Sequence, residues 1–285
     1  MIKAGLVVEG GGMRGVYSSG VLDFFIEKDL FFENNYGVSA GACHLCSYLA
    51  KQYKRAFRVN VDYLNDKRYC SVHSLLKTGN LFGAEMLYDI IPNELDLFDY
   101  DTYNKNESNF YVVITDINTG KPEYVKIGDL KKDIIYVRAS SSLPLLAKNV
   151  KINDKEYLDG GISDSIPIKK SIADGNKKNV VILTRDSTYR KGKNSLMPII
   201  KLKYKKYPNF VKSMADRYIV YNEILDFIKE LENNGDVFVI RPKKPVNIGR
   251  TEKNREKLEA LYNDGYNDAK DCYEELLKYL GKENL

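Results

Sequence analysis

The sequence predicts an α/β fold, and three observations carry that prediction. Four short apolar runs read as strands buried on both faces, as in a parallel sheet covered by helices. Stretches with helical patterning alternate with them. The first apolar run leads through a glycine cluster into an amphipathic helix, the order of a strand-loop-helix unit.

Taken in order, residues 5–9 (Gly-Leu-Val-Val-Glu) form the first expected strand; the run is too short for the apolar core of a signal peptide. Gly10-Gly11-Gly12-Met13-Arg14-Gly15 follows and opens a helix over about 16–28. Tyr36 and Gly37 end a second, short strand, and Gly37-Val38-Ser39-Ala40-Gly41 then fits G-x-S-x-G, with a helix expected over about 40–57. Residues 110–115 (Phe-Tyr-Val-Val-Ile-Thr), 179–184 and 236–240 supply further strands, and 208–233 and 252–280 further long helices. Arg241-Pro242-Lys243-Lys244-Pro245 is the one soft boundary. It suggests a main domain over 1–240 and a helical extension over 241–285 packed on it, since ~40 residues make a poor independent core.

Composition narrows the class. The chain has 285 residues, 44% hydrophobic and 29% charged, with a net charge of +5. Four cysteines at 43, 46, 70 and 272 show no framework spacing, which favours a reducing compartment, and no window approaches the ~20 apolar residues of a membrane span. A soluble, cytoplasmic protein is the expectation. The densest basic stretch, 201–207 (Lys-Leu-Lys-Tyr-Lys-Lys-Tyr), reads as a solvated surface or as peripheral contact with an anionic membrane. No recognised motif supports nucleic-acid binding, and oligomeric state is not legible.

The glycine cluster has two physical uses. It fits the G-x-G-x-x-G dinucleotide fingerprint, with Glu33 ~20 residues on as a ribose contact, which would make the protein an oxidoreductase. Successive glycine amides at a helix N-terminus can equally cradle an oxyanion. Ser39 favours the second use, because G-x-S-x-G places a serine hydroxyl on a sharp strand-to-helix turn. Serine needs a base. The chain has two histidines. His44, five residues on, would be rotated about 140° from Ser39 on one helix, and His73 carries no catalytic signature. The base is then expected to be a carboxylate, and Asp159, in Tyr157-Leu158-Asp159-Gly160-Gly161, is the candidate. Ala139-Ser140-Ser141-Ser142-Leu143-Pro144 is a small-residue segment suited to lining the same pocket. The C-x-x-C of Cys43 and Cys46 lacks a second pair for zinc and reads as buried structural thiols.

In order, Gly-Gly-Gly-x-Arg-Gly, Gly-x-Ser-x-Gly, Ala-Ser-Ser-x-x-Pro and Asp-Gly-Gly resemble the patatin-like phospholipases over residues 5 to about 185. The resemblance implies a three-layer α/β/α fold with a mostly parallel sheet, and a lipid acyl hydrolase with a Ser-Asp dyad. It implies Ser39 as nucleophile, Asp159 as base, and the amides of Gly11, Gly12 and Met13 as oxyanion hole. Arg14 would steady the loop or meet an anionic headgroup. Gly10, Gly15, Gly37, Gly41, Gly160 and Gly161 would be the motif glycines, and no cofactor or metal is implied. The residues after 241 resemble an extension carried by some bacterial members. Glu9 stands where plant-type members carry Asp, and Ile166-Pro167 where many carry Asn-Pro. A catalytically silent lipid-binding protein on the same fold is the remaining alternative.

Overall fold

The structure is a computed structural model that describes residues 1–282. Alternate residues of its first strand, β1 (Ile2–Val8), part to opposite sides: Ala4, Leu6 and Val8 enter one core and Val7 another. That is the period of two of a strand covered on both faces. The other strands are β2 (Phe32–Val38), β3 (Asn109–Asp116), β4 (Pro122–Ile127), β5 (Val150–Ile152), β6 (Lys155–Asp159), β7 (Asn179–Ile182) and β8 (Val237–Ile240). They form one sheet in the order β5-β6-β3-β2-β1-β7-β8, with β4 paired to β3. The five from β3 to β8 run parallel, while β4, β5 and β6 add antiparallel pairings, so the fold is mixed α/β.

The α-helices are α1 (Val16–Glu27), α2 (Ala40–Leu49), α3 (Arg55–Val61), α4 (Val72–Thr78), α5 (Tyr100–Asn104), α6 (Leu130–Ser140), α7 (Ile168–Ala173), α8 (Met197–Lys203), α9 (Pro208–Asn233), α10 (Arg255–Asp271) and α11 (Tyr273–Leu280), and Met86–Leu95 forms a π-helix. Ile168 of α7 and Tyr221, Ile224 and Ile228 of α9 cover the Val7 face. Residues of α1, α2, α10 and α11 share the larger core on the other face.

Two expected helices are each two. The 40–57 helix stops at Leu49, because Lys51 and Lys54 take φ of 54° and 60° and the Asp23 carboxylate accepts the Lys54 N–H at 3.0 Å. A residue at positive φ ends an α-helix. The 252–280 helix is interrupted at Cys272, whose φ of −99° and ψ of 11° leave the helical region. The expected extension over 241–285 reaches beyond the described residues at 283–285. Its described part lies against the first helix: Tyr262 donates to Asp23, Tyr17 donates to Asp268, and the backbones meet at Gly20 and Gly265. A Cβ built on Gly265 would fall 2.0 Å from the Tyr17 carbonyl oxygen.

Candidate active site

Ser39 occupies the turn between β2 and α2 with φ 54° and ψ −125°, a strained geometry for a residue with a side chain. The turn closes because Gly41 lies against β1: a Cβ there would sit 2.4 Å from the Val8 carbonyl oxygen. The same tightness at Gly37 brings the end of β2 against Ala42 of α2. The Ser39 N–H donates to Ser140 Oγ at 2.8 Å, so the last turn of α6 braces the turn from below.

Sheet register explains how Asp159 arrives. On one edge of β3, β2 pairs as far as Val38 opposite Val113. The next position, Ile114, is taken by Asp159 of antiparallel β6. The two strands therefore meet end to end, and Ser39, just past β2, faces Asp159, the last residue of β6. Ser39 Oγ donates to Asp159 Oδ2 at 2.7 Å, and Asp159 Oδ1 accepts the Gly161 N–H at 2.8 Å. The Asp159 N–H is held by the Ser142 carbonyl. Gly160 allows the approach, since a Cβ there would overlap the Val113 carbonyl. Burial pushes the Asp159 carboxyl above its ordinary range; Arg217, the Ser39 hydroxyl and the Gly161 amide pull the other way without cancelling it.

The glycine loop lies over this pair. Gly10 approaches so closely that a Cβ would be 2.7 Å from the Ser39 Cβ. Gly11 precedes, and Gly12 begins, a single tight turn over Gly12–Gly15 that feeds α1. Among the described residues no protein group accepts the N–H of Gly11 or Gly12. Met13 differs from expectation. Its N–H donates to the Arg250 carbonyl at 3.0 Å, so of the three amides expected to meet an oxyanion, two remain free. Arg14 is buried, donating from Nε to Thr184 Oγ1 at 3.3 Å. Glu9 anchors the same corner, accepting from the Thr184 N–H at 2.7 Å and from the Tyr221 hydroxyl at 2.6 Å.

Ser39 divides two unlike spaces. One is an apolar cavity of about 100 Å³ beside Met13, Cys43, Tyr69, Phe82, Leu87 and Leu143. The other is polar and cationic, with Arg14, Lys191, Arg217 and Arg250 facing Glu9 and Asp159. Burial, with Arg217 beside it, pushes Lys191 down to about 7. Arg217, from α9, donates to the Gly161 carbonyl at 2.5 Å. Sequence patterning gave no hint of Lys191, Arg217 or Arg250; only the spacing of Arg217 and Tyr221, one helical turn apart on α9, could have placed them on one face.

Neither histidine touches the pair. His44 is buried on α2 with Nε2 3.0 Å from Asn60 Nδ2, and burial lowers it to about 4. His73 lies on α4, beside Lys77 in a separate surface groove. Cys43 and Cys46 are free thiols that burial pushes up, Cys43 within 3.2 Å of Ser141 Oγ. Glu33 sits at the start of β2, level with the start of β1, roughly 20 Å along the sheet from the glycine loop at ~3.3 Å per residue. It is at the wrong end of the sheet for a ribose contact.

Comparison with known proteins adds five findings. A family model described as patatin-like phospholipase matches residues 6–171, and one described as a domain of unknown function (DUF6363) matches residues 207–281. An uncharacterised protein of Escherichia coli (strain K12), YjjU, is 28% identical over 261 residues, covering 86% of this chain and 70% of its own. A probable lipid hydrolase of Invertebrate iridescent virus 6, 463L, is 25% identical over 215 residues, covering 65% and 71%. Among solved structures, VipD from Legionella pneumophila aligns with 98% of this chain and 67% of its own, at 11% identity and a TM-score of 0.47.

Proposed function

The chain belongs to the patatin-like phospholipase family, and from that premise we propose that it is a lipid hydrolase that cleaves acyl esters through a Ser39–Asp159 dyad. The observation that carries the reading is the 2.7 Å contact between Ser39 Oγ and Asp159 Oδ2 at the foot of an apolar cavity, with no histidine between them. A raised carboxylate is a stronger proton acceptor than an ordinary one, which suits a base that must take a proton from a hydroxyl.

The chemistry follows from the positions. As Ser39 Oγ attacks the ester carbonyl carbon, its proton passes to Asp159 Oδ2. The carbonyl oxygen becomes an oxyanion facing the Gly11 and Gly12 amides. Collapse breaks the carbon–oxygen ester bond, and Asp159 returns the proton to the leaving alcohol. Water then attacks the acyl-Ser39 carbonyl, giving its proton to Asp159, and the carboxylic acid departs as Ser39 is re-protonated. The apolar cavity suits the acyl chain, and the cationic space beside Asp159 suits the alcohol half when that half is anionic. The reading also supports a carboxylic ester hydrolase of phospholipase, lysophospholipase or esterase type.

A fluorophosphonate probe tests the nucleophile whatever the substrate. Wild-type protein is expected to label at Ser39, and Ser39→Ala to lose both the label and hydrolysis of p-nitrophenyl esters while keeping its fold. Labelling of a different serine in the wild type would refute the assignment.

A further inference from the structure

Two short helices turn apolar side chains to solvent. On α8 and the residue before it, Leu196, Ile199 and Leu202 are 49%, 53% and 73% exposed, while Ile200 alone is buried. Positions 199 and 202 lie about one turn apart, so apolar side chains share the outward surface of the helix with Lys201 and Lys203. On α4, Val72 and Leu76 are 66% and 83% exposed, again one turn apart. Single exposed leucines are ordinary, but whole outward stripes are not.

Charge is concentrated in the same places. From 187 to 215 the sequence has eight Lys and Arg residues and no Asp or Glu, more positive charge than the +5 of the whole chain. Among the described residues, Lys193, Lys201, Lys203, Lys205 and Lys206 form no ion pair. From 67 to 84 the count is three Lys and Arg residues against no acid, although Arg68 is neutralised by Asp66.

Both helices connect to segments that line the Ser39 cavity. Tyr69 and Phe82 line that cavity, and Cys70 bridges to Phe82, so α4 is the tip of a loop whose base is cavity wall. Leu143 lines it too; two residues on, the Leu145 N–H reaches the Tyr204 hydroxyl at the end of α8. The next residue, Leu146, ties this segment to the α4 loop as well, its carbonyl accepting the Leu81 N–H.

We propose that α8 and α4 form a docking face for an anionic lipid bilayer, which seats the mouth of the Ser39 cavity against the membrane. The occupant is chosen by complementarity: apolar stripes suit the acyl boundary, and unpaired lysines beside them suit anionic headgroups. The proposal rests on the lipid-hydrolase reading for its purpose, but the docking itself is measured without turnover.

The test is co-sedimentation of the full chain with phosphatidylcholine vesicles, with and without phosphatidylglycerol. Wild-type protein is expected to bind the anionic vesicles and not the neutral ones, and to be released by high salt. Replacing Lys201, Lys203, Lys205 and Lys206 together by Ser should lower binding at least tenfold. Ile199→Asn with Leu202→Asn, and separately Leu76→Asn, should lower it severalfold. All three variants should hydrolyse a water-soluble short ester at the wild-type rate. Wild-type protein that ignores anionic vesicles, or binding that survives the lysine replacements, overturns the proposal. So does a concentration-dependent dimer abolished by the Ile199 and Leu202 changes with vesicle binding intact, or tight binding of RNA in place of vesicles. Vesicle binding without ester hydrolysis would leave the docking face standing and remove the hydrolase reading.

Discussion

Asp159 has each carboxylate oxygen committed, one to the Ser39 hydroxyl and one to the Gly161 amide, in surroundings that disfavour its charge. Asp159→Asn is therefore expected to cut kcat by ~10²–10⁴, while His44→Gln and His73→Gln cost less than about tenfold. The sign of the pH effect follows from the raised pKa. Protonated Asp159 cannot take the Ser39 proton, so activity should fall with pH through a value above the ordinary ~3.9 of an aspartate. For stability, a raised folded pKa gives a contribution present below ~3.9 and lost as pH rises through the folded value. At neutral pH the charged side chain thus costs stability, and Asp159→Asn should raise Tm as it removes activity. A calorimetric scan showing a lower Tm for the Asn variant at pH 7 would contradict this. The contact between Ser39 and Asp159 was legible in that local motifs single out both residues. The engagement of the Met13 amide was not, because its acceptor, Arg250, lies 237 positions away and no pattern links the two.

At the scale of elements, the site depends on β2 stopping where β6 begins along the edge of β3, with α6 supporting both ends. Ser140→Ala removes the acceptor of the buried Ser39 N–H, an unmade bond worth about 1–3 kcal/mol. The expected outcome is a destabilised protein whose kcat falls more than its KM rises, because the elbow loosens while the pockets remain; parallel thermal melts and kinetics would show the split. The long helix α9 is legible with its observed bounds, 208–233, since Pro208 sets its start and twenty-six residues leave a long periodic signal. By contrast β4, β5 and β6 carry no clear strand signal. Four of the six residues of β4 are only half-buried, and β5 has three residues, too few for any alternation to register. β6, which delivers Asp159, has five residues of which only the last three are buried, again too short a run to show a strand period.

Across the whole molecule, α10 completes the covering of α1. Phe24 packs edge-on against both Tyr266 and Tyr273, with centroids 5.4 and 5.3 Å away, and Asp23, which burial raises to about 6, takes the Tyr262 hydroxyl. A chain cut after Ile240 should fail to yield a soluble, cooperatively melting protein. Gly265→Ala should destabilise by about 1–3 kcal/mol, because its Cβ meets backbone that cannot step aside. A wild-type Tm in that variant would mean the two helices are free to separate. The pairing also sets a clock. Gly265 follows Tyr17 by 248 residues, so at ~5–20 residues per second the ribosome needs roughly 12–50 s to supply α1 with its partner. Through that interval the Tyr17 and Phe24 side of the first helix has no cover of its own, and the nascent chain is at its most vulnerable to chaperone capture, aggregation and proteolysis until α10 has emerged.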